Sequence, residues 1–328
     1  MLRNAGLVVI SVAVACALAE FAVRLFVTVR DIGPSFTVHD PVLGKRLKAS
    51  FSAQRITPEF RMHFSTNSLG FRGPEPAAFP RRPILFLGDS FTMGYGVSDG
   101  EEYPVRIAAE LQRRFGEAAP PVVNAGIGDS GNGFWVKFLR TKADAFQPRL
   151  VVMQVLDNDF ADNLGEKLFV LEAGESLREP PVPAPGAGRK LQAVIEAVPG
   201  LSDSYLVGLL RQIRLPASDP RDSPPAAVPG KQREQTDRLT LRILEEAISI
   251  CKARGWPVLG LLVGLPEARA IAVNSLFVRQ GIPIVIVPGK SARPDLYYKI
   301  DGHWHAGGHA FAAARVLEAM ETLGVARP

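Results

Sequence analysis

Between residues 81 and 328, short unbroken apolar runs alternate with amphipathic stretches, and this alternation is the strongest constraint on the fold. A strand that is apolar at every position has no face to give to water, so it must be covered on both sides. The runs are Ile84–Leu87, Pro121–Asn124, Leu150–Leu156 (LVVMQVL), Pro257–Val263 and Ile282–Val287. Between them the spacing predicts helices over 101–115, 134–146, 236–254, 267–280 and 306–323. Ile107, Leu111 and Phe115 share one helical face; Leu239, Ile243, Ala247 and Ile250 share another. In the last helix Phe311, Val316, Met320 and Leu323 are available to pack. Strand alternating with helix means an α/β domain with a parallel sheet between helix layers. No internal repeat is visible.

The N-terminus carries a membrane signal. Ala5–Ala19 (AGLVVISVAVACALA) is free of charge and covers about 22 Å as a helix, short of a hydrocarbon core of about 30 Å. Continuing through Val29 reaches a full span, with Glu20 and Arg24 at i, i+4 able to pair and snorkel. Three readings stand: an uncleaved anchor, a secretory signal cleaved after Ala15 or Ala19, and a buried helix of a soluble chain. Either of the first two puts the remainder outside the cytoplasm, in a periplasmic or other extracytoplasmic space. Cys16, with Ala at its −3 position, makes a poor lipoprotein site.

The chain divides into the segment 1–30, a β-rich lead-in over 31–80, and a main domain over 81–328. The NSLGFRG stretch at 67–73 reads as the turn into the main domain. Within the main domain a Pro-rich insertion spans 165–235, with short amphipathic helices at 191–197 and 205–213. Such an insertion is either a solvated linker or a lid or acceptor-binding surface. The 328 residues are 47% hydrophobic and 22% charged, which excludes a disordered, fibrous or multi-span chain. A net charge of +5 spread along the sequence does not point to nucleic acid. With two cysteines, Cys16 and Cys251, neither a disulfide scaffold nor a CxxC site is available.

The chemistry-bearing residues stand at strand ends, where ligands bind in open parallel sheets. Gly88-Asp89-Ser90 follows the first strand, Asp157-Asn158-Asp159 the third, and Asp301-Gly302-His303-Trp304 precedes the last helix. A serine hydroxyl needs a base within hydrogen-bond reach and a group that orients the base; His303 and Asp301 are of those types. A developing oxyanion needs preorganised donors, and the Ser90 N–H, a glycine N–H after the second strand and the Asn158 amide are suitable. Asp89 reads as a turn or cap residue. A metal reading competes: Asp301, His303, His305 and His309 form D-x-H-x-H-x3-H, and two histidines at i, i+4 can share one ion.

In order along the chain, PILFLGDSFTMGYG, VVNAGIGDSGNG, VLDNDFADN and DGHWHAGGH resemble the four blocks of the SGNH (GDSL-type) hydrolase superfamily over about 80–310. With NSLGFRG and the N-terminal segment, the layout looks like a bacterial membrane-anchored subgroup. The resemblance implies a three-layer α/β/α flavodoxin-like fold and attack on an acyl ester without cofactor or metal. By motif position it implies Ser90 as nucleophile, His303 as base and Asp301 as acid, with Ser90, Gly128 and Asn158 as oxyanion donors. Gly126 or the Asp129 N–H could stand in for Gly128. The sequence departs from the family in having Asp-x-His followed by Trp304, which is similar to alginate-type O-acetyltransferases, although their block order differs. It also has Leu156-Asp157 where a glycine usually precedes the asparagine. The implied activity is a serine esterase or deacetylase. The alternatives are an O-acyltransferase acting on a cell-surface carbohydrate and a non-catalytic assembly component.

Overall fold

The computed structural model of the chain describes residues 2–172, 175–214 and 230–326. Pro216, Pro220, Pro224, Pro225 and Pro229 of the Pro-rich insertion lie outside the described residues. An N-terminal helix α1 (Leu2–Phe26) leads into strands β1 (Thr37–Asp40), β2 (Gly44–Leu47), β3 (Ser52–Ile56) and β4 (Arg61–Ser65). Then follow β5 (Ile84–Leu87), α2 (Ser90–Met93), α3 (Tyr103–Phe115), β6 (Val122–Asn124), α4 (Gly133–Thr141) and α5 (Ala143–Phe146). Next come β7 (Leu150–Leu156), α6 (Asn158–Glu166), β8 (Val170–Leu171), β9 (Leu177–Arg178), α7 (Ala187–Ala197) and α8 (Tyr205–Arg214). The chain closes with α9 (Gly230–Ala253), β10 (Val258–Val263), α10 (Glu267–Arg279), β11 (Ile284–Val287) and α11 (Ala306–Thr322).

The apolar runs form one 5-stranded sheet of order β11-β10-β7-β5-β6, parallel at every pairing. This is the flavodoxin-like order, and its direction reverses between β5 and β7. The period-two geometry of a strand sends neighbours to opposite layers. Ile84 and Phe86 pack with Ile107 and Leu111 of α3 and with Val316 and Met320 of α11. Leu85 and Leu87 face the layer of α4, α9 and α10, with Trp135, Leu239, Ile243 and Phe277. Burying each such side chain contributes about 1.5–3 kcal/mol, which makes the two layers the main stabilising feature. Gly260 interrupts the β10 run for a steric reason: a Cβ there would lie 2.7 Å from the Phe277 ring.

The lead-in forms two antiparallel hairpins, β1–β2 and β3–β4. Phe36 stacks on Phe64 at 4.1 Å, and Leu43, Leu47, Phe60 and Met62 join the same core as Leu85 and Leu87. Three details differ from the periodicity. The helix expected over 134–146 breaks at Lys142 into α4 and α5. Leu323 falls just past the end of α11 and is 40% exposed. Asn158–Glu166, polar on most of its surface, is nevertheless helical as α6, burying Asp159, Phe160 and Asn163.

Candidate active site

Ser90 is the first residue of a four-residue helix set at the carboxyl end of β5, beside the point where strand order reverses. The turn is tight because Gly88 has no side chain: a Cβ would sit 2.0 Å from Thr92 Oγ1 and 2.5 Å from Gln154 Oε1. Gln154 is the one polar residue in the β7 run and is fully buried. Its Oε1 accepts from the Thr92 hydroxyl (2.8 Å) and the Asp89 N–H (3.3 Å), and the Tyr103 hydroxyl lies 2.9 Å from Thr92 Oγ1. Asp89 caps α2 by accepting from the Phe91 N–H at 2.9 Å. Burial pushes its carboxyl above the usual range, against the pull of that N–H, the His303 charge and the Asn158 amide.

The other end of α2 is held by Arg72, from the NSLGFRG stretch. Its buried guanidinium donates to the carbonyls of Met93 (3.1 Å), Gly94 and Val97 (2.6 Å). Asp99 (3.2 Å) and Glu102 (3.6 Å) balance its charge. Burial raises the Glu102 carboxyl, with Arg72 opposing.

The acid–base loop precedes α11. His303 Nε2 lies 2.8 Å from Ser90 Oγ, across 213 positions of sequence. His303 Nδ1 lies 2.5 Å from Asp301 Oδ1. A carboxylate at Nδ1 selects the tautomer in which Nε2 accepts the serine proton. The ring is held between Phe91 and Tyr95, at centroid distances of 5.0 and 4.8 Å. The loop closes through Tyr298 N–H to His303 O at 2.8 Å. Glu59, in the turn of the β3–β4 hairpin, accepts from three successive backbone N–H groups, Lys299 (2.8 Å), Ile300 (2.8 Å) and Asp301 (2.6 Å). The Tyr298 hydroxyl donates to Gly96 O at 2.9 Å, tying this loop to the one after α2.

The oxyanion candidates separate by what their donors already do. Gly126 N–H donates to Asn124 Oδ1 (3.1 Å) and Ile127 N–H to Gly88 O (3.1 Å). Gly128 N–H has a methionine sulfur, Met93 Sδ, at 3.4 Å, a weak acceptor that an oxyanion would outcompete. A Cβ on Gly128 would stand 3.8 Å from the Ser90 Cβ, so this backbone lines the nucleophile. Asn158 begins α6, and its amide donates to Asp162 Oδ2 at 3.1 Å. Behind these loops, Asn132 donates to Asp159 (2.9 Å) and Asn163 donates to Asn132 (3.1 Å) and Thr240 (3.0 Å). That network joins the loop after β6 to α6. Burial drives Asp159 well above the usual carboxylate range and Asp162 up to about 7, with neighbouring acids adding to both.

The structure thus brings Ser90, His303 and Asp301 into one hydrogen-bonded chain, with Gly128 beside Ser90 and Asn158 beside Asp89. It does not bring the four metal candidates together. His305 caps α11 by accepting from Gly307 N–H at 3.0 Å, and His309 is buried under Tyr103, its Nδ1 accepting from the Tyr103 N–H at 3.3 Å. Trp304 is buried among Phe91, Tyr103 and His309. Sequence reasoning missed Glu59, Tyr95, Tyr298 and Gln154. Of these, Gln154 carried a signal, as a lone amide in an apolar strand. Near the site, a cavity of about 480 Å³ is lined by Leu43, Leu47, Phe71, Phe134 and Phe146 and reaches Gly126 and Ile127.

No protein-family model and no curated protein sequence matches the chain. Among solved structures it is similar to TesA, at 13% identity over 74% of this chain and 99% of that one, with a TM-score of 0.47. It is similar to the acetylxylan esterase Axe2 from Geobacillus stearothermophilus, at 12% identity over 74% and 95%, with a TM-score of 0.45. A GDSL-like lipase from Bacteroides thetaiotaomicron aligns at 16% identity over 74% and 89%, with a TM-score of 0.37. Similarity of this degree carries no statement about reaction or substrate.

Proposed function

We propose that the chain is a serine-dependent acyl-ester hydrolase of the esterase or deacetylase type. The observation that carries this reading is the unbroken line from Ser90 Oγ to His303 Nε2 (2.8 Å) and from His303 Nδ1 to Asp301 (2.5 Å). His303 takes the hydroxyl proton as Ser90 Oγ attacks the ester carbonyl. Asp301 holds the resulting imidazolium. The negative charge on the tetrahedral oxygen is met by the N–H groups of Ser90 and Gly128 and by the Asn158 amide, swung from Asp162. His303 then protonates the departing alcohol, leaving an acyl-Ser90. A water molecule, deprotonated by His303, releases the carboxylic acid and regenerates the serine. No cofactor or metal enters these steps.

Transfer of the acyl group to a carbohydrate hydroxyl would use the same acyl-serine. The sequence feature that points toward transfer is the short Asp301-x-His303 spacing followed by Trp304, and the Trp304 indole packs in the core instead of lining a path for an acceptor. Hydrolysis is therefore the better-supported outcome. The test is a fluorophosphonate probe followed by peptide mapping, alongside acetate release from an aryl acetate with and without acetylated or free glycans. Covalent labelling of Ser90 with acetate as the main product supports the hydrolase. Acetylated sugar as the main product moves the assignment to transfer, and an unlabelled Ser90 in folded protein leaves an assembly component.

A further inference from the structure

We propose that α7 and α8 form an interfacial platform, lying in the polar–apolar boundary of the bilayer that α1 crosses. The argument starts with length. Gly6–Phe26 is a 21-residue apolar helix, about 31 Å long at 1.5 Å per residue, which matches a hydrocarbon core of about 30 Å. Ending the apolar slab at Ala19 would leave about 21 Å, some 9 Å too short.

Within the last two turns of that span, α1 is bonded to α8. Glu20 accepts from the Ser204 hydroxyl (2.7 Å) and from the N–H groups of Tyr205 (3.0 Å) and Leu206 (2.8 Å). These occupy orphan donors of the first turn of α8. Arg24, paired with Glu20 at 2.7 Å, lies over the Tyr205 ring. Gly208 lets α8 close on the segment that follows α1, since a Cβ there would be 2.8 Å from Val29 Cγ1 and 3.2 Å from Asp31 O. The start of α8 is therefore fixed at the height of residue 20, about 9 Å before the end of the span. Phe21, Leu25 and Phe26 remain exposed on other sides of α1.

At that depth a soluble-type surface would be costly, and α8 does not have one. Leu210 and Ile213, one turn apart at i, i+3, are 51% and 63% exposed, while Leu206 packs toward Val23 and Val29. The opposite side of α8 faces the protein, where Arg211 donates to Gly33 O at 2.9 Å. The same inversion holds in α7. Glu196 docks inward, accepting from Ser35 N–H (2.7 Å) and Lys48 Nζ (2.6 Å). Leu191, Val194 and Val198, at i, i+3, i+7, point away from the protein, Val194 being 64% exposed. Lys190 is exposed beside that stripe, suited to a phosphate headgroup. Two helices with apolar sides facing outward, α8 clamped to a spanning helix at the height of the membrane boundary and α7 joined to it by the short turn over 198–204, fit insertion of about 5–10 Å into the headgroup and acyl region.

The test uses the full-length chain reconstituted in phosphatidylethanolamine/phosphatidylglycerol vesicles, in a Cys16→Ser, Cys251→Ala background. An environment-sensitive fluorophore is placed at Val194→Cys, at Ile213→Cys, or at Glu117→Cys as control, and thermal melts confirm folding. The expected result is at least twofold quenching at positions 194 and 213 by lipid carrying a shallow spin label, with shielding from aqueous iodide. The label at 117 should show the reverse. Labels at 194 and 213 that behave like the one at 117 would overturn the proposal. So would recovery of a mature chain beginning after residue 19. Both readouts are independent of catalysis, so neither depends on the assignment of Ser90.

Discussion

The two halves of the candidate site are built by different means. Ser90 is positioned from inside the domain. Gly88, Gln154, Thr92 and Tyr103 are buried, and the hydrogen bonds that fix the start of the α2 turn run to β7 and α3. The His303 loop is rooted by the buried Leu296, Tyr297 and Trp304. It is fixed by an aromatic sandwich, by Tyr298, and by Glu59 reaching across from the β3–β4 hairpin. The start of the nucleophile turn is set by the sheet, while its far end, through Arg72, and the acid–base loop, through Glu59, are held by the layer that precedes the sheet in sequence. The lead-in hairpins therefore bear on chemistry as well as on stability.

The largest expected effect tests whether the halves act as one unit. Ser90→Ala and His303→Ala should each reduce aryl acetate turnover by at least about 10⁴-fold, and the double variant should lose little more. Independent, multiplying losses would break the unit. On the nucleophile side, Arg72→Met leaves Glu102 buried without its counter-charge and frees the carbonyls of α2. Denaturant unfolding should show a loss of about 3–5 kcal/mol. A change under 1 kcal/mol would mean that the α2 turn holds without it. On the proposed mechanism Asn158→Ala removes one oxyanion donor, which should lower kcat about 10²–10³-fold with KM nearly unchanged. Glu59→Gln keeps the shape of the side chain but weakens its hold on the three N–H groups. We expect about a tenfold fall in kcat and a shift in the acidic limb of the pH–rate profile, with the melting temperature almost unchanged. An unaltered pH profile would separate the hairpin from the chemistry.

The smallest effect concerns Asp162, which holds the Asn158 amide. Its carboxyl is near 7 in the folded chain against an ordinary 3.8. Between those pH values the folded chain keeps a proton that the unfolded chain has released, so stability falls as pH rises through this window and levels off above it. Asp162→Asn removes that loss. It should match the parent at pH 4 and exceed it by about 1–3 kcal/mol at pH 8 in denaturant unfolding. Parallel stability curves across the range would place the Asp162 proton elsewhere.

Much of the fold was legible because two-sided burial leaves a mark in composition. LVVMQVL can be little other than a buried strand, and β7, β5 and β10 lie where the apolar runs predict. The break at Lys142 and the helix at Asn158–Glu166 were not legible, since both depend on what packs beneath polar residues. Asp301 and His303, two positions apart, advertised a local acid–base pair. Arg72 stood in a stretch that read only as a turn, and Glu59 stood in a hairpin with no pattern around it. The groups they hold in place are backbone carbonyls and N–H groups, which are present at every position and so leave no trace in sequence.

By itself the sequence determined the apolar period, hence a parallel sheet between helix layers, and the order of the polar groups at strand ends. The tertiary structure decided which of those groups meet. Strand order brings the end of β5 to the end of β7, and long-range closure carries residue 303 to residue 90. It also decided what the N–H groups after β6 already do: those of Gly126 and Ile127 are taken by oxygen acceptors, and that of Gly128 meets a methionine sulfur. Periodicity is a local property that each segment carries within itself. Convergence is a property of the packed chain, fixed only when non-local contacts choose among the arrangements that the local pattern allows.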